Sequence, residues 1–402
     1  FVLYNCSTLH KIYYFIEQQL LQTSSKLLTL VHKPASMPIY MDLHIVPGVT
    51  AKDVAEAHKL DVYLEKDHSC KCMTYWVDEL RGHVFCLIDA PSKEHVTELH
   101  NKAHGLTPHK IIEVQPNLVE SFLGRISDPE EAELTDTGLK LINEPSFRII
   151  LATKMHDPVL LQHQLGLEKA TELIRQLNTL IRKEIAGHNG VEAEHAGSDF
   201  IASFTSAAKT IACASSIQQK INDSNLQQAG LRMSIHAGEP VSTNEQLFGE
   251  TIQLAERLCF IGKPSQVSIT STVKELVAKD LLPINENNLY TLSSNDQNLL
   301  DLLFTALDKN YSDQDFNMDE YGSSVAMSQS QLYRKTMALC DLSPNTLLKE
   351  YRLEKARELM KKKNQNITEV TFNSGFNSPS YFTKCFKKKY GILPMAYLDL
   401  LH

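Results

Sequence analysis

The chain has 402 residues, a formal net charge of −8, 43% apolar residues and 22% charged residues. At about 100–200 residues per domain that allows two to four domains with real cores, and the composition excludes a disordered, collagen-like or disulfide-scaffold protein. Eight cysteines are too sparse for a disulfide framework and fit a reducing cytosol, so a cytoplasmic protein is expected.

Residues 1–36 precede Met37, which opens a strand-like run, and are read as a non-native or incidental extension. Their most apolar part, Lys11–Val31, is interrupted by Glu17, Gln18, Gln19, Gln22 and Lys26. It falls short of the roughly 20 apolar residues that span a bilayer, so no membrane partner is expected.

Residues 37–115 predict strands at 39–46, 71–78, 84–90 and 110–114 and helices at 51–65 and 93–103, a β-α-β-β-α-β order. Eight of the 16 histidines lie here, with Cys70, Cys72 and Cys86. His100 and His104, four apart on one helix, share a face and could share a metal ion. His58, on the first helix, can reach the same side of the sheet. His68, His83, His95 and His109 fall near turns or outer faces and read as incidental. Solvated histidines on a dimeric domain are the bland alternative for the whole cluster.

The acidic, turn-rich segment 116–145, with Asp128-Pro-Glu-Glu, reads as a linker. In 146–280 a strand (Phe147–Thr153), one long helical pattern (Leu160–Ala186), two strands (200–204 and 231–241), a helix (247–258) and a last strand (264–270) again give β-α-β-β-α-β, a sheet with helices on one face. Pro283–Asn298 is rich in Asn and Ser, and 281–294 is taken as a second linker.

Residues 295–402 are expected to be all helical. From Met318 to His402 there are 13 Lys and Arg against 8 Asp and Glu, a basic module on an acidic body, which suits a polyanion partner. Ser328 is a helix N-cap followed by Leu332, Thr336 and Leu339 as an inner stripe, leaving Ser330, Gln331, Tyr333 and Arg334 outside. A second unit buries Phe382, Phe386 and Tyr390 and leaves Ser380, Tyr381, Thr383, Lys384 and Lys387 outside. Each follows a short helix and a turn, so the chain holds two helix-turn-helix units joined by an amphipathic helix over 345–363.

Leu332-Tyr-Arg-Lys, Leu342-Ser-Pro, Arg352-Leu-x-x-Ala-x-x-Leu-Met and Gly375-Phe-Asn-Ser-Pro-Ser-Tyr-Phe-x-Lys-x-Phe-Lys-Lys-x-Tyr-Gly-x-x-Pro together resemble the AraC/XylS transcription-regulator domain. The resemblance implies two recognition helices in successive major-groove turns of double-stranded DNA. It implies base contacts from Ser330, Tyr333 and Arg334 and from Ser380, Tyr381 and Lys384, with Thr383 near a thymine methyl. Lys387, Lys388 and Lys389 are expected on phosphates. Thr336 stands where the family carries a larger apolar residue, which implies looser packing.

The phrases of 146–280 resemble class III nucleotidyl cyclases with the catalytic set lost. The first metal carboxylate position reads Lys154, and the Gly-Asp-Gly turn reads Gly197-Ser198-Asp199. Glu194 stands at the base-selecting lysine, Gln246 at the matching acid and Gln253 at the transition-state Asn. Only Arg257 persists. No enzyme is expected; a dimerization scaffold is favoured over a nucleotide-sensing pocket.

In the first domain, Met37-Pro-Ile-Tyr-Met-Asp-x-His, Cys72-x-Thr-Tyr-Trp-x-Asp-Glu, Phe85-Cys-Leu-Ile-x-Ala-Pro and His100-x-x-Ala-His-Gly resemble a small bacterial nickel-binding family. That implies His44, His58, His100 and His104 as metal ligands, with Cys72 and Cys86 as weaker candidates, and nickel as the ion, zinc or copper being alternatives. The fold class expected is two α+β ferredoxin-like domains, one of them cyclase-like, followed by an all-α double helix-turn-helix domain. The function expected is a homodimeric, metal-responsive transcriptional regulator. The alternatives are a regulator of an organic or nucleotide ligand and an active cyclase tethered to DNA.

Overall fold

The computed structural model describes residues 37–401 apart from 136–137, 194–198, 265, 281–287 and 363–365. The expectations for residues 1–36, Glu194, Gly197 and Ser198 lie outside the described residues.

The first unit runs β1 (Ile39–Ile45), α1 (Ala51–Leu64), β2 (Lys71–Asp78), β3 (His83–Asp89), α2 (Lys93–Ala103) and β4 (Lys110–Val114). Its four strands stand in the order β2-β3-β1-β4, every pair antiparallel. Thr50 starts α1 with a reciprocal capping box to Asp53. Successive strand side chains point to opposite faces, and this sheet uses both. Tyr40, Val84, Cys86 and Ile88 pack with Val54, Val96 and Leu99 of the two helices. Met41, Leu43, Trp76, Phe85 and Leu87 form a separate core on the other face.

That second core corrects the linker expected at 116–145. Pro116–Leu123 is a helix, α3, with Val119, Phe122 and Leu123 buried, and Glu133–Leu134 (β5) pairs with Lys140–Leu141 (β6) as a small hairpin. The helix has ordinary boundary signals, Pro116 in its first turn and Gly124 just past its end at φ 83°. Its apolar side joins the first sheet to Ile150, Ala193 and Phe248 of the next unit. The buried Arg148 donates to the carbonyls of Phe122 (2.9 Å) and Leu123 (3.3 Å), which the helix end leaves unpaired.

The second sheet contains β7 (Arg148–Lys154), β8 (Val191–Ala193), β9 (Ile201–Phe204), β10 (Arg232–Gly238), β11 (Val267–Thr270) and β12 (Leu289–Leu292), in the order β12-β11-β10-β7-β9-β8. The β10-β11-β12 pairs are parallel and the rest antiparallel. Its helices are α4 (Pro158–Leu165), α5 (Leu167–Gly187), α6 (Ala207–Asn222), α7 (Gly249–Ile261) and α8 (Ser271–Asp280). Several expectations change here. The single helix over 160–186 is two, broken at Gly166 (φ 83°), a conformation that suits glycine. The unread helix α6 buries Ile211, Ala214, Ile217 and Ile221. The strand β12 falls inside the expected linker 281–294. Helices cover both faces rather than one: α5, α6 and α8 pack against Ile149 and Leu151, whereas Ala255 and Cys259 of α7 meet Ala152.

The remaining chain is helical: α9 (Ser294–Asn310), α10 (Met318–Ser324), α11 (Gln329–Cys340), α12 (Pro344–Met360), α13 (Ile367–Asn373), α14 (Pro379–Tyr390) and α15 (Pro394–Leu401). Two cores divide it. Leu300, Leu303 and Phe304 gather Leu332, Leu339, Leu347 and Tyr351 with Leu254 and Leu258 of α7. Leu353, Ala356 and Met360 gather Val370, Phe382, Phe386 and Tyr397 with Leu160 of α4. The helix α12 thus runs through both cores, and each core reaches back to the second sheet's helices.

Candidate metal centre and nucleic-acid interface

Strand alternation puts Asp42 and His44 of β1 and Cys86 of β3 on the sheet face that α1 and α2 cover. Asp42, His44, Cys86 and His100 each offer a donor atom, all within 4.8 Å of one another, and all four are buried. Asp61, His100 and His104 form a second group under the same limit, sharing His100. The His100 ring is clasped at both nitrogens, Nε2 lying 2.8 Å from Asp42 Oδ2 and Nδ1 3.1 Å from Asp61 Oδ1. His104 Nε2 stands 3.2 Å from His100 Nδ1 and 3.3 Å from Asp61 Oδ1. The Cys86 N–H donates to Asp42 Oδ1 at 3.0 Å.

One donor is left over. His44 Nε2 is buried without a hydrogen-bond partner in the protein, and its nearest carboxylate oxygen, Asp42 Oδ1, is 3.5 Å away, beyond a formed bond. An orphaned buried imidazole nitrogen among carboxylates and other imidazoles fits a transition-metal ligand set.

Burial works to raise the Asp42 carboxyl, but His44 and His100 outweigh it and hold the group well below the usual carboxylate range. The same contest, won by His100 and His104, lowers Asp61. Burial opposes the charge on His100, yet Asp42 and Asp61 lift its value to about 10. Burial, with Asp42 and Asp61 adding to it, pushes the Cys86 thiol well up. Cys86 therefore joins as a thiolate only if an ion displaces its proton.

Of the six ligands expected from sequence, the structure brings together His44, Cys86, His100 and His104. Cys72 stays out of both donor groups: β2 bulges between Cys72 and Thr74, and the Cys72 N–H donates to Glu65. His58 lies outside them too, 3.7 Å from Asp128 and tilted on Tyr75. It does line a cavity of about 220 Å³ onto which His44, Asp61, Cys86 and His104 also open. Sequence reasoning missed Asp42 and Asp61. Asp42 had a signal, two residues before His44 on a strand and so on the same face. His83, read as incidental, holds Glu239 of the next unit at 2.7 and 2.9 Å.

Two of the positions matched to cyclase catalysis, Lys154 and Arg257, face the helical module. Lys154 pairs with Glu354 of α12 at 2.6 Å. Arg257 pairs with Asp301 and Asp308 of α9, each at 2.8 Å. Asp199 accepts the Met155 N–H at 3.1 Å. Gln253 lines the cavity of about 340 Å³ between these groups, whereas Gln246 is exposed away from them. Asp157, at the start of α4, lies 3.2 Å from Arg357 and accepts from the Tyr397 hydroxyl at 3.0 Å.

In the helical module Leu332, Thr336 and Leu339 are buried on α11, and Phe382, Phe386 and Tyr390 on α14. Ser330, Gln331, Tyr333, Arg334, Ser380, Tyr381, Lys384 and Lys387 are exposed, and Thr383 is half-buried. Lys388 and Lys389, expected on phosphates, line the junction with the second sheet, and Lys389 is paired with Glu350. The turn before α14 depends on Gly375: at φ 81° a side chain is strained, and its Cβ would strike the Tyr311 carbonyl. Arg352 donates to that carbonyl at 2.8 Å and to Asp313 O at 2.5 Å, fixing the middle of α12 to the end of α9.

Residues 321–399 match the family described as "Helix-turn-helix domain", and residues 40–114 match "Nickel responsive protein SCO4226-like". The chain carries an AraC-type helix-turn-helix domain and an SCO4226-like domain. The HTH-type transcriptional regulator MtrA of Neisseria gonorrhoeae is 32% identical over 102 residues, which is 25% of this chain and 33% of MtrA. The chain thus spans about a third of that curated relative, and 8% of the longer histidine kinase P4 of Formosa agariphila, which it matches at 33% identity over 107 residues. The crystal structure of SCO4226 from Streptomyces coelicolor A3(2) is similar at 34% identity over 19% of this chain and 94% of that one, with a TM-score of 0.18. The SCO4226-like domain contains both donor groups, and the helix-turn-helix domain contains both exposed helix faces. No helix among the described residues is long and apolar enough to cross a membrane.

Proposed function

We propose that the protein is a sequence-specific DNA-binding transcriptional regulator, acting as a homodimer, that responds to a transition metal held in its SCO4226-like domain. Arg334 and Lys384 read guanines, Ser330, Gln331, Tyr333, Ser380, Tyr381 and Thr383 line the remaining base contacts, and Lys387 meets a phosphate. The observation that carries the metal reading is the unpartnered His44 Nε2 inside a buried cluster with Asp42, Cys86 and His100. Asp42, His44 and His100 hold the ion, with Cys86 beside them and Asp61 and His104 orienting His100 from behind. Imidazole and carboxylate donors suit nickel, and zinc or copper next. Ferredoxin-like is the fold name we give to the first unit, on its strand order. The second unit we read as a degenerate cyclase-like scaffold without catalysis: its former metal carboxylate position, Lys154, is spent on an ion pair.

Metal binding shifts DNA affinity only by its differential affinity for two arrangements of the chain. The test is elemental analysis of the tag-free protein purified without chelator, then titration with Ni²⁺, Zn²⁺ and Cu²⁺ and selection of bound duplexes with and without the ion. Stoichiometric metal that is lost in His100→Ala/His104→Ala, with a change in operator affinity, is the expected result. A protein that takes up no metal sinks this reading. The 220 Å³ cavity beside His44 and His58 then favours an organic ligand instead.

A further inference from the structure

A larger cavity, about 690 Å³, lies where the second sheet meets the helix-turn-helix domain. Its size is that of a small-molecule site. It is walled on one side by Lys154, His156, Asp157 and Arg232, and on the other by Glu354, Arg357 and the ends of two helices. Those ends are Cys340, which closes α11, and Lys388–Gly391, which closes α14. Both helices whose exposed faces we assign to DNA therefore end at this one cavity.

The charges around it do not cancel. Its three carboxylates are already answered by cations: Glu354 by Lys154 at 2.6 Å, Asp157 by Arg357 at 3.2 Å, and Glu350 by Lys389. Two cations remain. Among the described residues neither Arg232, on β10, nor Lys388, on α14, has a carboxylate within ion-pair reach; Arg232 donates only to the Phe260 carbonyl at 3.2 Å. His156, in the same lining, is held below its usual value by burial first and then by Arg232, so it adds no third cation near neutral pH. Two unpaired cations lining one cavity attract an anion, and an anion of more than one charge can answer both.

We propose that this junction cavity is an effector site for a small polyanion bearing phosphate or carboxylate groups, bridging Arg232 of the sheet and Lys388 of the second recognition helix. An occupant there ties the end of α14 to β10 and touches the end of α11, so it fixes the two reading helices relative to the sheet. This site is separate from the metal centre and does not depend on it.

The experiment is calorimetric titration of the full chain with inorganic pyrophosphate and, separately, citrate, at constant ionic strength held with sodium chloride. Saturable one-site binding of either probe is expected, pyrophosphate alone naming a phosphate ligand and citrate alone a carboxylate. Lys388→Gln and Arg232→Gln should each weaken it at least tenfold, whereas Arg334→Gln/Lys384→Gln on the outer faces should leave it unchanged. Lys388 is exposed, so its variant decides the matter if the Arg232 variant fails to fold. No saturable binding of either probe overturns the proposal. So does binding lost in the outer-face variant and kept in Lys388→Gln, since the anions would then only be imitating DNA.

Discussion

Lys154 of β7 and Glu354 of α12 meet at 2.6 Å, 200 residues apart in sequence, and both are partly buried between the second sheet and the helix-turn-helix domain. Burial raises the Glu354 carboxyl, but Arg357 and Lys154 outweigh it and hold it at about 2. Removing one partner of such a pair costs more than the pair contributes, because the other charge stays buried. Lys154→Met, which among the described residues leaves Glu354 only Arg357 at 3.5 Å, should destabilise the protein by about 1–2 kcal/mol in urea unfolding, and Lys154→Met/Glu354→Leu by less. The contribution of Glu354 should be complete above about pH 4.5 and disappear as the pH falls toward 2, because its folded value lies below its unfolded one.

A second pH dependence has a different origin. Burial lowers His236 from 6.5 to about 4, with Nδ1 3.0 Å from the Thr270 hydroxyl. The unfolded chain takes up a proton below about 6.5 that the folded chain refuses until about 4, so stability should fall as the pH drops through that window. The ring is only half-buried, so about 1–2 kcal/mol is expected. Comparing urea midpoints of the wild type and His236→Asn at pH 7 and pH 4.5 isolates it; parallel curves would refute the assignment.

Thr336 is fully buried in α11, and its hydroxyl has no partner among protein atoms. Valine has the same shape without the unsatisfied group. Thr336→Val should raise stability by about 1 kcal/mol, read as a higher thermal midpoint, and leave the exposed face of the helix untouched.

Asp42 touches His100 at 2.8 Å and accepts from the Cys86 amide. Asp42→Asn keeps the volume and loses the charge, so nickel affinity should drop by about 10–100-fold or more. Asp61→Asn, at a carboxylate that touches the far nitrogen of His100 and the His104 ring, should cost less. Competition against a chromophoric chelator gives both values.

At the DNA face, Arg334→Ala should cost about 1–3 kcal/mol on the selected operator and relax one base position. Lys387→Ala should weaken all duplexes alike and reduce the slope of log affinity against log salt by about 1. Filter binding at several salt concentrations separates the two behaviours.

The helical module was the most legible part of the sequence, because its packing is local. The stripes Leu332-Thr336-Leu339 and Phe382-Phe386-Tyr390 are helix periods, and the structure buries all six. The metal centre was half legible. Histidines announce themselves by rarity and Asp42 by its place two residues before His44, but Asp61 looks like any surface carboxylate until a sheet face and a helix close over it. The role of Lys154 was beyond reach, since its partner lies in another unit. Two helices are masked in the sequence for another reason: acidic and turn residues around Asp128 follow the short Val119, Phe122 and Leu123 stripe, and the small side chains of α6 mute its period.

The apolar stripe of α3 puts a shared core where a linker was expected. Trp76 and Phe85 of the first sheet share one interior with Phe122 and with Ile150 and Phe248 of the next unit, and a close-packed interior resists gradual sliding. On the proposed function, a signal from His100 toward the helix-turn-helix domain would cross this shared core as strain or as a loss of motion. Cutting the chain between 115 and 146 would not release two independent modules. It would bare the inner face of each, and both halves should aggregate or find each other again in solution.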